Sequence, residues 1–535
     1  MIKRSSGILL PISSLPSPYG IGAFGKAAYA FADFLKAAGQ KYWQLLPLGP
    51  TSYGDSPYQS FSTYAGNPYF IDLDLLVKDK LLTKQEVEAC AWGTNPRYVD
   101  YGKIYESRYA LLEKAKENGW AREREKVRAF EKENEGWLPD YALFMALKRH
   151  FEMQPWLEWP EDIRLHKSEA VQKYRQLLSD EVDFWVFVQF LFFRQWDALR
   201  RYARERGVQF IGDVPIYVAL DSADVWSNPR LFQLDEGNVP KEVAGVPPDA
   251  FTEDGQLWGN PLYDWDAMRA DGFGWWIRRI EGAQRLYDVI RIDHFRGFES
   301  YWAVPYGDKT ARRGRWKPGP GMALIGVLKN WFTGLEFIAE DLGYTTPEVE
   351  KLLADSGFPG MKILQFAFDP AEQRSGRLEN AFLPHTYKLP CVVYTGTHDN
   401  DTTQGWLDSL CREDQSEGDG CAMLALVASY MKGEAVSLEE AKALRSSGAL
   451  CRAMIRTAFA STADFAVVPL QDVYCLGTGA RMNTPSTSGA NWSWRAEKGM
   501  IEGSKAEKAA AWLKNEACAW LSQLVTLYAR DGALC

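Results

Sequence analysis

DVIRIDHFRGF, residues 288–298, alternates apolar and polar side chains and then runs into a glycine-bearing turn. In a strand, successive side chains point to opposite faces, so Arg291 and Asp293 share one face while Ile290 and Ile292 share the other. Three more apolar runs end in a carboxylate in the same way: QFIGDVPIYV (209–218) at Asp213, LEFIAEDLG (335–343) at Glu340 and VVYTGTHDNDT (392–402) at Asp399. Further apolar runs at 7–12, 42–48, 362–368 and 464–473 bring the predicted strands to Gly7–Ile12, Tyr42–Leu48, Gln209–Val218, Asp288–Phe295, Leu335–Glu340, Lys362–Phe368, Cys391–Thr397 and Asp464–Val473. Helix-like segments lie between them, the pattern of repeated βα units, and this number of strands predicts a closed (β/α)8 TIM barrel, an α/β fold.

A bare barrel of this kind needs about 250 residues, and the chain has 535. More than half of it is therefore expected in insertions on a single catalytic barrel spanning 1–535. Residues 49–208, after the second strand, read as mainly helical, since 103–137 and 174–206 carry apolar positions at helical spacing. Residues 219–271, dense in Pro, Gly, Asp and Trp, lack periodicity and read as ordered loops. Residues 407–456, after the seventh strand, return to Ala/Leu/Glu helical character, and 505–528 read as a closing helix. No C-terminal β domain is expected.

With 61 basic and 70 acidic residues, a net charge of −9 and no Lys/Arg tract, binding to nucleic acid has little electrostatic support. No run of 18 apolar residues exists and the opening apolar run is broken by Pro11, so neither a membrane helix nor an export signal is expected, and the cytoplasm is the expected location. The eight cysteines show no CxxC spacing, which predicts reduced thiols rather than a zinc site or a disulfide framework. Aromatic residues are abundant at 14%, including 21 Trp. Most are expected to fill cores, but aromatic faces also stack on sugar rings.

The active site of such a barrel lies at the C-terminal ends of its strands. Any one of Asp213, Asp293, Glu340 and Asp399 alone could be a helix N-cap. Several ionised groups at one rim are costly, and that cost is usually met where their perturbed pKa values serve a reaction. Arg291 favours an ionised Asp293, suited to a nucleophile, although a purely structural ion pair is the alternative. The apolar residues before Glu340 favour a protonated acid. Two carboxylates tuned apart suggest glycoside hydrolysis or transfer. His294 and His398 adjoin the carboxylates and could hydrogen-bond sugar hydroxyls. A metal site built from these Asp and His residues is the weaker alternative, because no HxH or HExxH occurs. No GxSxG, no phosphate-binding GxxxxGK[ST] and no GxGxxG after a strand is present.

The set GDVPIYV, RIDHFRG, AEDLG and THDND resembles the four short regions of the α-amylase superfamily. SSLPSPYGIG (13–22), SPYQSFSTYAGNPYFIDL (56–73), GVPPDAFTEDGQLWGNPLYDW (245–265) and RMNTPSTSGANWSWR (481–495) narrow the resemblance to its amylomaltase or disproportionating-enzyme branch, the 4-α-glucanotransferases. The resemblance implies Asp293 as nucleophile, Glu340 as general acid/base and Asp399 as the third carboxylate engaging the bound glucose. Arg291, His294 and His398 would surround that glucose, and Asp213 holds the place of the first-region aspartate. Tyr58 would be a stacking platform, and Phe251, Gln256 and Trp258 would belong to a loop over the acceptor side. Tyr58, Phe251 and Trp258 could instead be packing residues, and Asn483 and Trp494 are expected as scaffold of the mouth. The implied reaction is retaining transfer between α-1,4-glucans without metal or other cofactor. An α-amylase-like hydrolase and a non-catalytic glucan-binding protein are the alternatives.

Overall fold

The computed structural model describes residues 4–52, 54–248, 252–343, 345–368, 380–487, 489–501 and 515–532. Phe251 lies outside the described residues. In chain order the strands are β1 (Ser5–Leu9), β2 (Tyr42–Gln44), β3 (Gln209–Pro215), β4 (Glu242–Val246), β5 (Gln256–Pro261), β6 (Val289–Asp293), β7 (Ser300–Pro305), β8 (Arg315–Pro318), β9 (Glu336–Ala339), β10 (Gly360–Ile363), β11 (Cys391–Tyr394) and β12 (Phe465–Pro469).

A closed barrel has the order β1-β12-β11-β10-β9-β6-β3-β2, and its neighbours pair in parallel. Each expected strand has a counterpart that ends earlier in the chain, and β1 and β10 also begin two residues before the expected Gly7 and Lys362. The run 42–48 leaves the ladder after Gln44, yet Leu45 and Leu48 stay buried. Likewise, the run 464–473 turns helical at Leu470. Apolar continuity therefore extends past each ladder into the packed mouth.

Inside the barrel, Leu9, Ile211, Val289, Ile338, Ile363 and Val467 form a buried layer together with Tyr42, Tyr394 and Phe465. Gly212 in QFIGDV is required by close approach, because a Cβ there would lie 2.0 Å from the Tyr287 ring. Around the barrel, residues 49–208 include long helices at Tyr101–Glu133, Leu138–His150 and Ser179–Glu205. The last of these buries Phe184, Trp185, Phe187, Phe192 and Trp196 among other residues.

Two features depart from the sequence reading. Residues 219–271 contain the helix Ala223–Ser227 and strands β4 and β5, which join β7 and β8 in a four-stranded antiparallel sheet of order β5-β4-β7-β8. Its strands are short and interrupted by Gly and Pro, so no alternation is long enough to show. Cys411 and Cys421, expected as reduced thiols, are joined by a disulfide across a sequence separation of 10. The helix Thr403–Leu410 ends at Cys411, and the chain folds back there into the helix Asp419–Lys432. Within 505–528, the described helix is Glu516–Leu527.

Candidate active site

The barrel register assembles the site. β3 pairs with β6 so that Asp213 lies opposite Arg291 and Pro215 opposite Asp293, while Ile292 on β6 lies opposite Ala339 on β9. Val289, Arg291 and Asp293 thus form one inward row, apolar at the bottom and charged at the top. Arg291 is 3% exposed. Its Nη1 donates to both carboxylate oxygens of Asp213 at 2.7 Å and to Asp293 Oδ1 at 3.0 Å. Burial opposes its charge, but the two aspartates outweigh that and hold it as a cation.

His294 follows β6 with φ 54, a left-handed residue that turns the chain at the rim. The turn aims its backbone N–H at Glu340 Oε2, 2.8 Å away, and Leu342 N–H donates to Glu340 Oε1 at 3.0 Å. Burial, then the charge of Asp293, raises the Glu340 carboxyl to about 8, against the opposing pull of Arg291 and the His294 N–H. Glu340 is therefore a protonated acid at neutral pH, fixed in orientation by backbone groups. Burial lowers the His294 imidazole to about 4, which keeps it neutral. The Trp258 ring meets that imidazole edge-on at 4.8 Å, and Trp258 Nε1 donates to Gln256 Oε1 at 3.1 Å. Strand β5 thereby brings Gln256 and Trp258 to the rim beside Asp293.

Asp399 and His398 lie in the loop after β11. His398 Nε2 is 3.3 Å from Asp399 Oδ2, and Asn483 Nδ2 donates to Asp399 Oδ1 at 2.6 Å. Burial works against ionising Asp399, but His398 and Asn483 together hold its carboxyl well below the ordinary range. For His398 burial opposes charge and Asp399 overrides it, raising the imidazole. The Tyr58 hydroxyl donates to Asp213 Oδ2 at 2.8 Å and lies 2.7 Å from His398 Nε2, and the Tyr58 and His398 rings are stacked at 5.3 Å. Tyr58 thus ties the Asp213–Arg291 pair to the His398–Asp399 pair.

The structure accordingly brings together Asp293, Glu340, Asp399, Asp213, Arg291, His294, His398, Tyr58, Gln256 and Trp258. Sequence reasoning gave Asn483 only a scaffold role, yet it contacts the third carboxylate directly. Arg481 was not singled out, although its Nη2 donates to the Asp399 carbonyl at 2.8 Å. The available signal was their place in the RMN triplet of a long polar motif. Trp494 is buried, and Ser14 donates to its carbonyl. Among the described residues no group of three or more His, Cys, Asp or Glu could hold a metal ion, and no helix is long and apolar enough to cross a membrane.

Chemically, the rim offers one protonated carboxyl opposite carboxylates held by Arg291 and Asn483, in a setting of neutral imidazole and aromatic faces. A family model described as 4-alpha-glucanotransferase matches residues 10–500. A 4-alpha-glucanotransferase from Clostridium butyricum is 47% identical over 498 residues, which span 93% of this chain and 97% of the relative. One from Thermus thermophilus is 46% identical, over 94% of this chain and 96% of its own. An amylomaltase from Streptococcus agalactiae, solved in complex with acarbose, superposes with a TM-score of 0.88 at 40% identity, covering 99% of this chain and 100% of that one. Family match, near full-length relatives and shared architecture agree, and the chain belongs to the 4-alpha-glucanotransferase family.

Proposed function

We propose that this enzyme cleaves an α-1,4-glucan and passes the glycosyl part to the 4-OH of another glucan or of glucose, with retention at the anomeric carbon. The observation that carries the reading is the contrast at the rim: Glu340 raised to about 8 beside Asp293, which Arg291 contacts at 3.0 Å. Asp293 attacks the anomeric carbon while Glu340 gives its proton to the leaving oxygen, which yields a covalent glycosyl-enzyme. Glu340, now ionised, takes the proton of the incoming hydroxyl, and the acceptor displaces Asp293. Asp399 and the neutral His294 bind hydroxyls of the glucose undergoing transfer, His398 orients Asp399, and Tyr58 presents a ring face to the same sugar. Gln256 and Trp258, within the insertion 219–271, form the acceptor side. The chemistry is proton transfer and covalent catalysis, and it calls on no cofactor.

Incubation with maltotriose tests the assignment. A ladder of longer and shorter maltooligosaccharides at constant total reducing ends is expected. Reducing ends that rise in step with substrate loss would make the protein a hydrolase, and no turnover at all would leave only glucan binding.

A further inference from the structure

The described thiols include a second close pair. Cys451 lies on the helix Ala449–Ala460, and Cys475 follows the helix Leu470–Val473 that continues from β12. Neither is in a disulfide; Cys451 is buried and Cys475 is partly open to solvent. The two residues meet at the Asp472 carbonyl, which takes both the Cys451 thiol and the Cys475 N–H. Cys451 Sγ lies 3.5 Å from the Asp472 carbonyl, and Cys475 Sγ lies 3.6 Å from the Gly448 carbonyl. Cys475 has φ 49, a left-handed conformation that residues other than glycine seldom adopt.

The pair is chemically unequal. The neighbouring Cys451 thiol, aided by the Arg452 guanidinium and against burial, brings the Cys475 thiol down to about 7, whereas Cys451 is raised well above the ordinary thiol range. A substantial thiolate fraction, solvent access and an adjacent thiol are what an oxidisable cysteine with a resolving partner requires.

We propose that Cys475 and Cys451 form a reversible oxidation site at which a peroxide closes a disulfide and lowers activity. The Cys475 thiolate attacks one peroxide oxygen, the O–O bond breaks, and hydroxide leaves, giving the sulfenic acid. Cys451 then loses its proton to that hydroxide and attacks the Cys475 sulfur, and the S–O bond breaks as the second oxygen departs with a solvent proton. Two thiols and one hydrogen peroxide become one disulfide and two waters, and a dithiol reductant reverses the change.

The route to activity runs through Asp472. Its buried carboxylate accepts from Thr395 Oγ1 at 2.6 Å, from Thr403 N at 2.7 Å and from Thr403 Oγ1 at 2.6 Å. It thus fastens both ends of the loop that carries His398 and Asp399. The Asp472 carbonyl accepts the Cys475 N–H at 3.0 Å as well as the Cys451 S–H. Oxidation ties Cys475 to the neighbouring helix by a covalent bond, which draws the adjoining Asp472 out of place and loosens the loop above it.

The reduced enzyme is treated with hydrogen peroxide, quenched with N-ethylmaleimide and digested for mass spectrometry, and maltotriose turnover is followed in parallel. A Cys451–Cys475 linked peptide is expected, with a severalfold fall in kcat that dithiothreitol restores. Cys475→Ser and Cys451→Ala should keep the activity of the reduced enzyme and resist peroxide, while the Cys411–Cys421 peptide stays linked. Recovery of both cysteines alkylated after peroxide would overturn the proposal. So would a linked peptide with unchanged kcat, or undiminished peroxide sensitivity in the variants. The linked peptide is read on the unmutated protein, so poor folding of a variant leaves the test intact.

Discussion

Glu340 stands between opposed influences: burial and Asp293 favour its neutral form, while Arg291 and the His294 N–H favour the anion, and the balance lies near 8. An acid that must be protonated is competent below that value and is lost as pH rises through it. The expected pH profile of kcat/KM on maltodextrins therefore falls on its alkaline side near pH 8. An alkaline limb unchanged in Glu340→Gln would assign it to another group. That variant should lose about 10²–10⁴-fold on maltodextrins, yet keep most of its first step on glycosyl fluorides, whose leaving group needs no proton. Asn483 provides a second test. A hydrogen bond to a charged group is worth about 1.5–3 kcal/mol, so Asn483→Ala should lower kcat by about 10- to 100-fold with the melting temperature nearly unchanged. At this scale the carboxylates were legible because each ends an apolar run. Asn483 was not, since a lone amide in a polar loop resembles any turn residue until the fold sets it against Asp399.

The strands position these groups through register, and register depends on close packing behind the sheet. At Gly212 the Tyr287 ring lies where a Cβ would stand, and the Tyr287 hydroxyl accepts the Leu48 N–H at 3.2 Å. Gly212→Ala should force β3 or the ring to shift, destabilising the protein by about 1–3 kcal/mol. It should also weaken activity, because Asp213 is the next residue. Thermal unfolding and kcat of one preparation check both, and a variant as stable as the parent would show that the ring yields freely. The barrel strands were legible as elements because buried parallel strands are nearly continuous apolar runs. The sheet β5-β4-β7-β8 was not, since Gly245, Pro261 and the charged residues of β8 break up any period. Pairing between strands as distant in sequence as β4 and β7 leaves no local trace.

At the scale of the molecule the question is what makes a barrel with hydrolytic carboxylates a transferase. Water is present at roughly 55 M against millimolar acceptor, so sugar must be preferred by a factor of at least ~10⁴, or about 5–6 kcal/mol at the barrier of the second step. Carboxylates in the proposed roles would not supply this, because a general base activates either hydroxyl alike. The preference must come from surfaces that hold the acceptor and displace water, and here the insertions outside the bare barrel take part. The antiparallel sheet sets Trp258 edge-on against His294, directly beside Asp293. On the proposed reading, an aromatic face there would orient an acceptor ring, and its bulk would exclude solvent from the glycosyl-enzyme. Trp258→Ala should therefore slow transfer between maltooligosaccharides and raise the share of intermediates taken by water, leaving release of the first product from a glycosyl fluoride largely intact. Both quantities come from one reaction, with reducing ends counting hydrolysis and the oligosaccharide ladder counting transfer. Were the Trp258 ring only packing, the folded variant would lose both activities together at a constant ratio, and the source of acceptor preference would have to be sought on another wall of the cleft.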